Sequence, residues 1–233
     1  MVRYREIRPS ARLRPFVNRF WILKHDGEGA VPQRVVPDGH SELILNWGQP
    51  FEAFAAGRWI GQPRCFLAGQ IAGTLLLRPS GAARMLGVGF HPHGAARLLA
   101  HPMHELSGRF TPVEDLSQSL SRHLSRALES PDPIAAVEDA LLTAENTTRG
   151  DPVVAEAVRR IVVTRGAADL GTLAWELCLS TRQLERRFDA AVGLRPKLFC
   201  RIPGSIMYWQ TLRIRPANGS IRRFAAATTI RLT

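Results

Sequence analysis

Between Ser180 and Asp189 the chain reads STRQLERRFD. On a helix, Arg182, Glu185, Arg186 and Asp189 stand at i, i+3, i+4 and i+7 and share one face, while Leu184 and Phe188 take the opposite one. A pair of forked guanidinium donors beside a carboxylate suits the major groove of DNA. Arginine bonds bidentately to guanine O6 and N7, and glutamate accepts from cytosine N4. Ser180 and Thr181, at the start of such a helix, offer hydroxyls and backbone N–H groups to a phosphate. Gln183 and Arg187 flank the stripe and suit backbone contacts. An ordinary amphipathic helix with a solvated charged face has the same periodicity, so spacing by itself leaves both readings open.

Other residues carry chemistry less persuasively. His91, His93, His101 and His104 make an H-x-H and an H-x-x-H, types that bind zinc or iron in small barrels. No carboxylate stands at ligand spacing, and His91 and His93 straddle Pro92 as turn residues do, so no metal is expected. Asp38 and His40 have acid/base character, but Asp38 beside Gly39 reads as a turn residue. Trp21, Trp47 and Trp59 suit a pocket or, more simply, a core. There is no Gly-rich phosphate loop and no nucleophile–base set. No enzyme activity, catalytic residue or cofactor is expected.

The elements that must position these residues fall into two halves, an α+β arrangement. Short apolar runs at 19–23, 42–47, 64–67, 74–78 and 85–90, punctuated by Pro37-Asp38-Gly39 and Pro79-Ser80-Gly81, predict a small antiparallel sheet or barrel. Helical patterns follow at 94–100, at 115–128 (Leu116, Leu120, Leu124 and Leu128 in one stripe) and at 134–144. Residues 145–150 (ENTTRG) read as a linker. Asp151 then caps a helix with Pro152 at its first position, Asp169 caps a second, and Ser180 caps a third that ends at Gly193. The predicted organisation is a β-rich regulatory domain over 1–128, a helical connection and linker over 129–150, an all-α helix-turn-helix module over 151–202, and an aberrant, irregular tail over 203–233.

Composition sets the bounds. A chain of 233 residues, 45% hydrophobic and 22% charged, is ordinary for a folded protein and argues against wholesale disorder. No run approaches the ~20 apolar residues of a membrane span, and the charged start MVRYREIRPS lacks an apolar h-region, so a cytoplasmic protein with no membrane partner is expected. Three widely spaced cysteines, Cys65, Cys178 and Cys200, read as reduced thiols. The net charge of +11 points to a polyanionic partner. Residues 201–233 hold six arginines and no acid, so that stretch carries six of the eleven net charges.

The segment LAWELCLSTRQLERRFDAAVGLRPK, 173–197, resembles the first half of the DNA-binding region of AraC/XylS-type transcriptional regulators. Ala174, Ser180, Leu184, Arg186, Phe188, Gly193, Pro196 and Lys197 match that pattern. Cys178 departs from it, standing where the family often has a turn glycine. A left-handed backbone there would store about 1–2 kcal/mol of strain. A weaker resemblance covers Val36-Pro37-Asp38-Gly39, Glu42-Leu43-Ile44 and GVGFHPHGA at 87–95, which is similar to the domain fused to such regions in one branch of the family. The resemblance implies a sequence-specific regulator with double-stranded DNA as partner, contacted by Ser180, Thr181, Arg182, Gln183, Glu185, Arg186, Arg187 and Lys197. It leaves room for a small-molecule effector and for a homodimer. The alternative is a small ligand- or metal-binding barrel, with or without enzymatic activity, whose C-terminal helices only support it.

The family carries a second helix-turn-helix after a connecting helix, and this chain departs from the pattern after Ile202. The tail PGSIMYWQTLRIRPANGSIRRFAAATTIRLT has no amphipathic period. Read with the last base of each codon joined to the first two of the next, the junctions from Ala226 to Thr233 admit Gly-Tyr-Tyr-Asp-Gln-Ala-His, the family's second-half motif. In the same frame 203–205 admit Arg-Phe and 207–210 admit Val-Leu-Ala. A frameshift near Ile202 and Pro203 accounts for all three. Sequencing the gene is expected to show that one single-base shift there restores these strings together; a gene in which no single shift does so rejects the frameshift.

Overall fold

The computed structural model describes residues 2–27, 31–99, 101–144 and 150–202. It is a mixed α/β structure with a β-rich N-terminal part. Among the described residues ten strands form two antiparallel sheets. The larger runs in the order β1 (Val2–Ile7), β2 (Val17–His25), β9 (Ala83–Phe90), β4 (Glu42–Asn46), β7 (Cys65–Ala68), β10 (Phe110–Pro112). The smaller runs β3 (Gln33–Val35), β8 (Leu75–Pro79), β5 (Phe51–Ala55), β6 (Arg58–Gly61).

Alternation along the central strands explains the layers, because successive side chains point to opposite faces. Phe20, Leu43, Leu45, Leu86, Val88 and Phe90 face one way, into a core closed by helices. Trp21, Leu23, Ile44, Phe66, Ala83 and Met85 face the other way, toward Phe51 and Leu77 of the smaller sheet. Gly87 sits where a Cβ would lie 1.9 Å from the Trp21 ring, so only glycine lets the indole lie across the sheet.

The helices that close the first core are α2 (Val113–Leu116), α3 (Gln118–Leu128) and α4 (Pro133–Ala144), preceded by a 3-10 turn at Ala95–Arg97 and a one-turn helix α1 (Met103–Leu106). The Leu116 to Leu128 stripe, expected as one helix, is two. Ser117 adopts an extended backbone at φ −160° and its hydroxyl caps α3 by accepting from the Leu120 amide. A serine that can cap competes with helix continuation. The boundary expected at residue 128 also moves. Val137, Ala140 and Leu141 of α4 are buried in the same core as the sheet residues, so α4 is part of the N-terminal unit and not a connection.

The second core belongs to α5 (Pro152–Val163), α6 (Leu170–Glu176), α7 (Thr181–Val192) and α8 (Pro196–Phe199). Val154, Ala157, Ile161, Leu173, Ala174, Leu184, Phe188, Val192 and Phe199 meet there. The expected linker lies outside the described residues from 145 to 149, and the expected irregular tail, 203–233, lies outside them entirely. No helix among the described residues is long and apolar enough to cross a membrane.

The place of α4 has a measurable consequence. Leu141 is fully buried, and Leu141→Ala is expected to lower the unfolding free energy of the N-terminal unit by about 3 kcal/mol through lost burial and the cavity left behind. Urea unfolding checks this, since a connecting helix would lose only a few tenths.

Candidate nucleic-acid interface

The α6–α7 pair is built by local sequence signals. Asp169 caps α6 by accepting from the Thr172 amide at 2.7 Å. The helix closes with the Leu179 amide donating to Ala174 O at 2.9 Å, which requires Cys178 to turn left-handed, at φ +55°. An exposed cysteine therefore occupies a glycine-like conformation, with a strain of about 1–2 kcal/mol. Ala174 is buried between α6 and α7, where a larger side chain would hold the helices apart.

Helix α7 begins with a full capping box. The Gln183 amide donates to the Ser180 hydroxyl at 3.2 Å, and the Ser180 amide donates to Gln183 Oε1 at 2.8 Å. It ends at Gly193, left-handed at φ +88°. Leu184, Phe188 and Val192 are buried. Thr181, Arg182, Glu185 and Arg186 are exposed along the opposite side, as the spacing predicts. Lys197 is exposed in α8, and so are Arg195 and Arg201 on either side of it, two cations that the sequence reading left out although the run RPK signals the first of them.

Three expected contact residues are otherwise engaged. Arg187 is not a free cation. Its Nε and a terminal nitrogen each donate to Asp151 at 2.7 Å. Such a bidentate fork holds the guanidinium to the protein, so Arg187 leaves the set of phosphate contacts. The Ser180 hydroxyl and the Gln183 carbonyl oxygen are committed to the capping box, and this leaves Ser180's role at a phosphate to its surroundings and Gln183 only its amide NH2. What remains exposed there, Arg182, Glu185 and Arg186, mixes two forked donors with one carboxylate acceptor, and the half-buried Asp189 follows one turn on. That suits a mixed donor and acceptor pattern better than plain neutralisation of phosphates.

A second polar cluster lies on the large sheet, at in-register positions of β2, β9 and β4, where Arg19 and Glu42 both pair with Gly89. Arg19 donates to Glu42 at 3.0 Å, with Asp38 at 3.8 Å and Glu6 at 3.7 Å. Trp21 Nε1 donates to the same Glu42 oxygen at 3.2 Å, and Tyr4 donates to Glu6 at 2.8 Å. Burial by itself would lower the Arg19 pKa, but Glu42 and Asp38 more than reverse it, so the guanidinium stays charged. Burial holds the neighbouring His40 below its ordinary pKa against the pull of Asp38, and its Nδ1 lies 2.8 Å from Phe90 O. Asp38 is the turn residue expected, since its carboxylate accepts from the His40 amide at 3.1 Å, yet it also faces Arg19.

The histidines do not gather. His91 and His93 stack with ring centroids 6.4 Å apart, and burial pushes His93 down to about 4. Among the described residues no group of three or more His, Cys, Asp or Glu side chains is placed to hold a metal.

Comparison with known proteins gives a partial match. Residues 5–112 match a family model described as a domain of unknown function, DUF6597. No curated protein matches the chain significantly. Among solved structures the chain is similar to the AraC-like transcriptional activator CuxR, at 15% identity and TM-score 0.33, over 91% of this chain and 87% of that one. It is also similar to the EutQ protein of Clostridium difficile, at 10% identity and TM-score 0.30, over 39% of this chain, and it spans 62% of EutQ's length. The functional reading rests on the geometry of the chain's own residues.

The Asp151–Arg187 pair has a pH signature. Burial would raise the Asp151 pKa, but hydrogen bonds from Arg187 and from the Val154 and Val153 amides hold it below the ordinary value. A depressed carboxylate contributes stability that is complete above its unfolded value, about 3.9, and is lost as pH falls through the folded one. Asp151→Asn keeps a capping oxygen and removes the charge. It is expected to cost about 1 kcal/mol at neutral pH, or roughly 2–4 °C in Tm. Thermal melts of the two proteins should begin to draw together as pH falls below about 4 and meet only below the lowered folded pKa of Asp151.

Proposed function

We propose that this chain is a DNA-binding transcriptional regulator and not an enzyme. In this reading α6, the turn at Cys178 and α7 are a helix-turn-helix, and the β-rich unit is regulatory. The observation that carries the reading is α7 itself. It is a serine-capped helix locked by Leu184 and Phe188 against a buried Ala174, and it leaves Arg182, Glu185 and Arg186 exposed in one stripe. Arg182 and Arg186 read base edges, Glu185 supplies the acceptor, and Thr181 and Ser180 approach a phosphate through the first turn. Lys197, with Arg195 and Arg201, supplies the salt-sensitive backbone contacts. The Arg19–Glu42–Asp38 cluster is where a small effector carrying hydrogen-bond donors would be held. It also favours a second reading of the N-terminal unit as a small-molecule-binding barrel in its own right.

In the chain as it stands the second reader is missing, because residues 203–233 are out-of-frame sequence in this proposal. Each lost base reader forfeits about 1–3 kcal/mol. Titrations of this chain and of a frame-restored version, at two salt concentrations, on duplex selected by the restored protein and on scrambled duplex, are expected to give a much smaller specificity ratio for this chain. Equal ratios would reject the tail's role. In the restored protein Arg186→Ala or Arg182→Ala should cost about 1–3 kcal/mol on the selected duplex and relax sequence preference. Equal loss on all duplexes would reject base reading. Failure of the restored protein to bind any duplex would reject the DNA reading.

A further inference from the structure

The exposed stripe of α7 does not run free to its end. Counting along the helix, Arg182, Arg186, Asp189 and Gly193 fall at i, i+4, i+7 and i+11, all on one side. The last two are covered by α1 of the N-terminal unit. His104 Nδ1 lies 4.0 Å from the Asp189 carboxylate. The Ser107 hydroxyl, at the end of α1, lies 2.5 Å from Gly193 O. The approach is close enough that a Cβ on Gly193 would stand 2.6 Å from the Ser107 oxygen and 2.9 Å from Met103 O. Helix α1 is in turn fixed to the large sheet. A Cβ on Gly69 would lie 1.8 Å from Leu106 O, and the Gly108 amide donates to Gln70 O at 2.8 Å.

We infer that α1 is an autoinhibitory clamp: the N-terminal unit occupies the C-terminal half of the same α7 face that meets DNA, so clamp and duplex exclude one another. The inference rests on the DNA reading of α7. At 1.5 Å per residue Asp189 lies only about 4.5 Å along the axis from Arg186. A duplex seated on Arg182 and Arg186, with a groove about 12 Å wide, reaches across that next turn, into space that α1 fills. Binding then requires the clamp to open, and the apparent affinity falls by the fraction of molecules that are open. By linkage, DNA must weaken the clamp by the same factor.

His104 and Asp189 are 45% and 33% exposed, so His104 can be changed without disturbing a core. His104→Glu sets two carboxylates against each other and opens the clamp, whereas His104→Arg strengthens the pair and closes it. Without a clamp, charge arithmetic dictates the opposite order on a polyanion: the Glu variant would bind worse and the Arg variant better. The probe is a pool of short random-sequence duplexes at low salt, titrated against the full chain and both variants, with thermal unfolding as a check on folding. The expected result is binding tightened about two- to fivefold by His104→Glu and weakened by His104→Arg, the range of a surface charge pair acting on an opening equilibrium. The charge-only order, or equal affinities, would overturn the clamp and leave the DNA reading standing. If neither the variants nor a frame-restored protein binds any duplex, the DNA reading falls and the clamp with it.

Discussion

A helix of twelve residues has little more than three turns, and α7 uses two of its sides. One, Leu184, Phe188 and Val192, is buried in its own module, with the Phe188 ring 5.4 Å from that of Phe199. The other is split along its length: Arg182, Glu185 and Arg186 are exposed, and Asp189 with the capping Gly193 is held by α1. The division leaves the helix no freedom to rotate. A turn of one residue position, 100°, would carry the buried set into solvent and the charged set into the core, at about 1.5–3 kcal/mol for each large apolar side chain. The capping box at Ser180 and the left-handed Gly193 fix where the helix begins and stops, so the phase of the charged stripe is set from both ends.

The basic balance of the chain is spent unevenly. In the C-terminal module Asp151 takes up Arg187, Glu156 takes up Arg159 and Arg160, and Glu176 takes up Arg160 again. These pairs are partly or largely exposed and contribute little stability each. Their effect is geometric: they remove cations from the α5 side and from the flank of α7. Among the described residues no ion pair reaches Arg182, Arg186, Arg195, Lys197 or Arg201, so, Arg165 apart, the cations this module leaves unpaired lie on α7 and around α8. A net charge of +11 says that a polyanion is welcome. The pairing decides where in this module positive charge is left free.

Much of this was legible in the chain. Every N-cap of the last three long helices, Asp151, Asp169 and Ser180, is where a short polar side chain precedes an apolar period, and Gly193 ends the last as its position requires. Caps are local chemistry and survive any tertiary context. Strands β2, β4, β7, β8 and β9 were legible as apolar runs, whereas β5, inside the smaller sheet, was not. The edge strands were not, because β1 alternates arginine with partly buried residues and β10 is three residues ending in proline. Helix α1 was missed for a related reason. A single turn has no period to detect, and its hold on α7 is made of one histidine, one serine and a backbone carbonyl. Arg187 shows the other limit. Its partner stands 36 positions earlier, and no local pattern announces an ion pair of that span.

One buried residue bonds both to the turn at Asp38 and to the chain just past α1. Gln70, 1% exposed, donates from its side-chain amide to Gly39 O at 2.9 Å, in the turn that holds Asp38 against Arg19. Its backbone carbonyl accepts from Gly108, just past α1. A buried amide cannot give up such bonds without a cost of about 1–3 kcal/mol, so the turn at Asp38 and the end of α1 move together or not at all. That stiffness is necessary for a signal to pass but does not create one. A ligand at the Arg19 cluster shifts the grip of α1 on α7 only by the difference in its affinity for the gripped and released forms. One route for that difference runs through Gly39, where the cluster and the path to α1 share a hydrogen bond, and another through the β4–β7 ladder, where Glu42 pairs with Ala68 beside the Gly69 that meets Leu106.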